Sequence, residues 1–191
     1  MELQQAFDEF LLYLEVEQNY SEHTLTGYES DLHALLRFLT VHKRSTMLQE
    51  LNPTIIRRFI QYQRTKTFVS PRTLQRRISS LKSFCTFCLK EKFIDEDFMA
   101  GIKAPKSDSK LPVYMNLEEL KQLFSSLEND NGPLSLRNEA LFKLMATTGM
   151  RKSELVHLTW QQLDFYNETI LILGKGKRNA SSPSIPWLFR Y

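Results

Sequence analysis

The run Ala146-Thr147-Thr148-Gly149-Met150-Arg151-Lys152-Ser153-Glu154-Leu155 sets an arginine two residues after a glycine. Further along, Gly174-Lys175-Gly176-Lys177-Arg178 sets a lysine in a glycine-flanked turn. A planar guanidinium fork and a lysine point charge on separate elements suit a phosphodiester whose oxygens gain charge during reaction. Taken alone, Arg151 could equally be a surface arginine paired with Glu154 or Glu139, and a lysine on a turn is ordinarily just solvated. No Asp/Glu cluster stands at the end of an expected strand, so the paired carboxylates of a metal-dependent nuclease are not evident.

These residues need elements to hold them. Gly149 breaks a helix expected over residues 137–147, with Ala140, Leu141, Leu144 and Met145 inside. A short helix follows, carrying Ser153, Glu154, Leu155 and Leu158. Thr169-Ile170-Leu171-Ile172-Leu173 reads as a strand stopped by Gly174 and Gly176, with Lys175 at a hairpin tip. Its partner strand is expected around Ser184 and Ile185 and is weakened by Pro183 and Pro186 on either side.

Upstream lie four amphipathic segments. The first carries Leu3, Phe7, Phe10, Leu11 and Leu14, and the second opens at Ser21 and Thr24. Asn52-Pro53 and Ser70-Pro71 are N-cap and first-turn signals for the third and fourth. Short connections make this a compact helical bundle. The fold class expected is mainly α: a four-helix N-terminal domain over residues 1–102 and a mixed α/β domain over 113–191. Between them, residues 103–112 hold three lysines and two prolines and read as an extended basic linker. Asn116 should cap a helix through Leu120, Phe124 and Leu127.

Charge is arranged unevenly. Residues 1–36 contain eight acids and no lysine or arginine, whereas residues 57–92 contain ten bases and one acid, Glu91. Either the basic segment faces a polyanion, or it is a solvated surface balanced by the acidic helices. Cys85 and Cys88, at i and i+3, share a helical face that the flanking Phe84 and Phe87 mark as buried, and they read as core residues. The four histidines are scattered, and no second ligand pair completes a zinc site. No metal and no cofactor are expected. The chain shows no membrane-length apolar run and no signal-peptide start, so a cytoplasmic protein without membrane contact is expected.

The order Thr-Gly-x-Arg-x-Ser-Glu-Leu, then Gly-Lys-Gly, resembles the tyrosine recombinases of the Xer-like and phage-integrase-like branch. Tyr20-Ser21-Glu22-His23-Thr24 through Asp31-Leu32 is similar to the opening of that family's core-binding domain. Ser70-Pro71-Arg72 through Phe84 is similar to its DNA-facing helix. The resemblance implies that Arg151 binds the scissile phosphate, that Glu154 supports the site, and that Lys175 protonates the leaving 5′-oxygen as general acid. It implies DNA contacts at Arg72, Arg76, Arg77, Lys82, Lys177 and Arg178. Double-stranded DNA and further recombinase protomers are the implied partners, and DNA integration and recombination the implied activity.

The family's tyrosine nucleophile and His/Lys-x-x-Arg box would lie well beyond the lysine hairpin. Tyr191 follows Lys175 too closely and lacks those companions, so a catalytically incomplete, truncated recombinase is expected. The alternative is a non-catalytic helical module that binds protein through its acidic first helices.

Overall fold

Asn52 and Ser70 each stand before a proline, and each caps a helix. The Asn52 side-chain oxygen accepts hydrogen bonds from the Thr54 and Ile55 backbone N–H groups, both at 3.1 Å. Ser70 Oγ accepts from the Thr73 N–H at 3.2 Å. The caps satisfy donors that a helix start leaves unpaired, and proline loses nothing there. In this computed structural model, which describes residues 1–105, 113–164, 166–167, 169–173 and 179–182, they begin α3 (Pro53–Thr65) and α4 (Pro71–Lys90). Helices α1 (Leu3–Val16) and α2 (Glu22–Val41) precede them. The chain divides into two compact units, Met1–Lys110 and Leu111–Tyr191.

The first unit is a helical bundle around an aromatic centre. The Phe84 ring meets Phe7 edge-on at 4.9 Å and Phe10 at 5.5 Å between centroids, and all three are essentially buried. Such pairs add about 0.5–1.5 kcal/mol each beyond the area they bury. Cys85 and Cys88 lie in this core with free thiols, and burial pushes both up to about 12. Burial thus disfavours the thiolate form that a nucleophile or metal ligand needs. Among the described residues no cluster of metal-ligating side chains occurs. Ile94, Phe98, Met99 and Ile102 also enter the core, from an irregular segment whose pattern has no helical or strand period.

Helices α2 and α4 are each followed by a residue in the left-handed region that is not glycine, Lys43 at φ 48° and Lys92 at φ 59°. Lys92 is exposed, and the following Phe93 N–H reaches back to the Cys88 carbonyl at 2.8 Å to close the helix end. A Cβ in that conformation is strained where glycine is not. Lys92→Gly is therefore expected to stabilise the chain by about 0.5–1 kcal/mol. Urea denaturation reads this as a higher midpoint, and an unchanged or lower midpoint would contradict the strain.

The second unit begins with α5 (Leu117–Glu128), where Asn116 and Glu119 exchange reciprocal side-chain and backbone bonds at 2.9 and 2.8 Å. Helix α6 (Ser135–Thr148) and the short α7 (Lys152–Val156) follow. Three strands, β1 (Leu163–Asp164), β2 (Thr169–Leu173) and β3 (Asn179–Ser182), form an antiparallel sheet in that order. Among the described residues the core here is Leu144, Met150, Leu155 and Ile170. Met145, expected inside α6, is 38% exposed, since it lies about 100° round the helix from the buried Leu144.

The β2 partner differs from expectation. It is Asn179–Ser182, with Leu173 opposite Asn179 and Ile170 opposite Ser182, rather than a segment around Ser184 and Ile185. Ser184 and Ile185 lie outside the described residues, and the prolines on either side of them lack the N–H that a ladder requires.

Candidate functional site

Arg151 is displayed by its neighbours. Gly149 adopts φ 66° and ends α6, so the chain turns sharply where a side chain would be strained. Met150 and Leu155 then bury themselves on either side of the arginine, at 5% and 6% exposure. With both anchors inside, the Arg151 side chain stands outward, 75% exposed. Glu154 fixes its root: Oε2 accepts the Arg151 backbone N–H at 2.7 Å, and Oε1 accepts from the guanidinium NH1 at 2.9 Å. The backbone bond, and then the guanidinium, hold the Glu154 carboxyl below its ordinary range. It is an anion at neutral pH, and its partner keeps free donors for another anion.

Arg151 thus pairs with Glu154, as a surface arginine would, while most of its side chain stays open to solvent. Lys175, Lys177 and Arg178 lie outside the described residues.

In the first unit, successive residues of α4 are rotated by about 100°. Arg72, Ser79 and Ser83 therefore align, with Arg76 and Thr86 beside them and Lys82 at the margin. Arg72, Arg76, Ser79, Lys82 and Thr86 are exposed, while Leu74, Ile78, Leu81 and Cys85 face the core. This face carries cations and hydroxyls and no acid. It is suited to phosphate oxygens.

Arg77 falls elsewhere. One step beyond Arg76, it rotates toward the buried side, and its side chain is 15% exposed. Its NH1 donates to Gln63 Oε1 of α3, itself buried. Its Nε lies 3.5 Å from Asp31 Oδ1 without hydrogen-bonding geometry, leaving both atoms buried and unpaired in that sense. The structure therefore makes Arg77 an internal strut and not a member of the exposed stripe.

Asp31 of α2 is the hub. Its side chain is fully buried, Oδ2 accepts from Ser80 Oγ at 2.8 Å, and the same oxygen meets Arg76 NH1 at 2.9 Å. Arg76 NH1 also donates to the Gly27 carbonyl at 3.2 Å. These bonds run through one nitrogen of a group with five N–H donors, so a half-exposed Arg76 is held at its inner edge with donors left for solvent. Asp31 stood in the sequence as part of the helix-opening motif only. A polar residue immediately beside the Leu32, Leu35 and Leu39 stripe was the available signal that it is buried.

A helical unit, a mixed α/β unit and an arginine displayed after a glycine turn can be set beside known proteins. The profile of the phage integrase N-terminal SAM-like domain matches residues 7–92, and that of the phage integrase family matches residues 114–184. Tyrosine recombinase XerC of Bacillus licheniformis is 35% identical over 174 residues, covering 91% of this chain and 56% of the relative. XerC of Listeria innocua is 37% identical over 174 residues, covering 91% and 57%. The chain thus spans less than two thirds of these relatives' length.

Among solved structures, a lambda integrase(75-356) dimer bound to a COC′ core site superposes with a TM-score of 0.74 at 17% identity, over 96% of this chain and 62% of that one. XerH site-specific recombinase bound to palindromic difH substrate gives 0.66 at 20% identity, over 92% and 51%. At such identities these two show the shared fold. The chain belongs to the phage integrase family of tyrosine recombinases.

Proposed function

We propose that this chain is the DNA-gripping portion of a site-specific tyrosine recombinase that acts on double-stranded DNA in integration and recombination. Residues 1–102 serve as the core-binding domain and residues 113–191 as the N-terminal part of the catalytic domain, joined by the basic linker 103–112. The presentation of Arg151 carries the reading: a guanidinium anchored at its root by Glu154 and otherwise exposed is preorganised for a phosphate. Arg72, Arg76 and Lys82 grip the backbone of the same duplex. Arg77 acts through Arg76 and the Asp31 cluster. Lys175 serves beside the scissile phosphate as general acid, and Lys177 and Arg178 contact the backbone.

Lambda integrase, seen as a dimer on a core site and as a tetramer on a Holliday junction, supports assembly with further protomers. Similarity to bacterial XerC recombinases supports a cytoplasmic location. Among the described residues, no helix is long and apolar enough to cross a membrane.

The test is the affinity of Arg151→Ala for duplex DNA. A charge-assisted phosphate contact contributes about 1.5–3 kcal/mol, so roughly 10- to 100-fold weaker binding is expected. Arg151→Lys should recover part of it, since a point charge replaces a fork. Equal affinity for the wild type and Arg151→Ala would remove Arg151 from the interface.

A further inference from the structure

Phe68 lies in the turn between α3 and α4, and its side chain faces solvent, 83% exposed. Its backbone is left-handed, φ 50°. Among the described residues, the other non-glycine positions with positive φ are Asn19, Lys43 and Lys92, whose polar side chains favour solvent. A bulky apolar residue in this region is an outlier, and exposing its ring adds a hydration cost.

The turn holds it there. Thr67 Oγ1 donates to the Gln63 carbonyl at 2.8 Å, and the Val69 N–H donates to the same carbonyl at 3.1 Å. Bonds on both flanks fix the backbone of the turn and leave the ring uncovered. Strain of this kind persists where the surroundings over-determine it, and it marks contact surfaces.

The surroundings say what the contact is. Arg64 and Lys66 on one side and Arg72 on the other are exposed. The turn feeds the N-terminal end of the 20-residue α4, whose first turn carries no acid. Helix dipole and side chains make the turn electropositive. A protein partner matched to so positive a rim would be strongly acidic, and an acidic partner offers an aromatic ring little. A nucleic acid supplies both complements, phosphates for the rim and flat base and sugar surfaces for the ring.

We propose that Phe68 is a DNA-contacting residue, its ring packed against bases or sugars of the duplex whose phosphates α4 binds. This rests on the DNA-binding reading above. The exposed ring is a neutral contact inside a charged interface, so it adds affinity without adding salt dependence.

The experiment uses the full 191-residue chain, as wild type, Phe68→Ala and Phe68→Gly. The probe is a 30-base-pair duplex from a random-sequence pool enriched on the wild-type chain, and dissociation constants are measured across a salt series. Both variants are expected to bind about tenfold more weakly at every salt concentration, with the log-log slope unchanged. Phe68→Gly relieves the backbone strain, so its melting temperature should not fall, which separates lost contact from lost fold. Phe68→p-benzoylphenylalanine should cross-link to a DNA strand on irradiation. Wild-type affinity in both variants would overturn the proposal and leave the ring for a protein partner. Failure of the underlying reading looks different: the wild-type chain itself would then bind no duplex at low salt.

Discussion

Asp31→Ala is expected to destabilise the first unit by about 3–5 kcal/mol, the range seen when one partner of a buried ion pair is removed. The loss comes from what is left behind. Arg77, 15% exposed, would keep its charge among α2, α3 and α4 with only the Gln63 oxygen for compensation, and Ser80 would keep only its longer bond to the Arg76 carbonyl. Asp31→Leu combined with Arg77→Met should recover much of the loss, because an apolar pair leaves no orphaned charge. Urea denaturation measures both. A single-variant loss below about 1 kcal/mol would show that water already compensates the cluster.

The same carboxyl has a pH signature. Burial raises Asp31 above its ordinary 3.8, outweighing the Ser80 hydroxyl and the Arg76 and Arg77 guanidinia that favour its charged form. The folded chain therefore holds this proton more tightly than the unfolded one. The group's contribution to stability is complete below the unfolded value and is lost as pH rises through the raised value. Asp31→Asn removes that titration, so wild-type stability relative to Asp31→Asn should fall as pH rises across this window. A rise would mean that the ion pairs outweigh desolvation.

The triple variant Arg72→Ala, Arg76→Ala, Lys82→Ala carries the second large effect. If each side chain neutralises one phosphate, the log-log salt slope of duplex binding should become shallower by about 2.7, and affinity near 0.1 M salt should fall by at least about 100-fold. Arg77→Met supplies the contrast. The Arg77 guanidinium bonds inward to Gln63, so this variant should lower stability and leave the slope unchanged. Equal slopes for the wild type and the triple variant would place the interface on another face.

Much of this was legible in the residues. The caps at Asn52, Ser70 and Asn116 are local events between a side chain and the next turn, and local signals report them directly. The glycine before Arg151 likewise announces a turn, and Gly149 makes it at φ 66°. Arg77 was harder to place, because its role depends on Gln63 and Asp31, which come from other helices. A three-arginine segment looks like one basic patch until helical rotation and tertiary partners separate its members.

Phe98 and Met99 enter the core from a segment without periodicity, so no pattern flagged them. The β2 partner was misplaced for a simpler reason. Asn179-Ala180-Ser181-Ser182 has little strand propensity, and its pairing is set by adjacency to β2 more than by its own residues.

The most direct measurement is the dissociation constant of the wild-type chain for duplex DNA across a salt series, taken by fluorescence anisotropy. An exposed stripe of Arg72, Arg76 and Lys82, joined by Arg151, predicts binding at low salt that weakens with a log-log slope of about −3.6 or steeper, from some 0.9 per phosphate neutralised. No binding at low salt, or binding indifferent to salt, would contradict the assignment of these residues to a DNA interface.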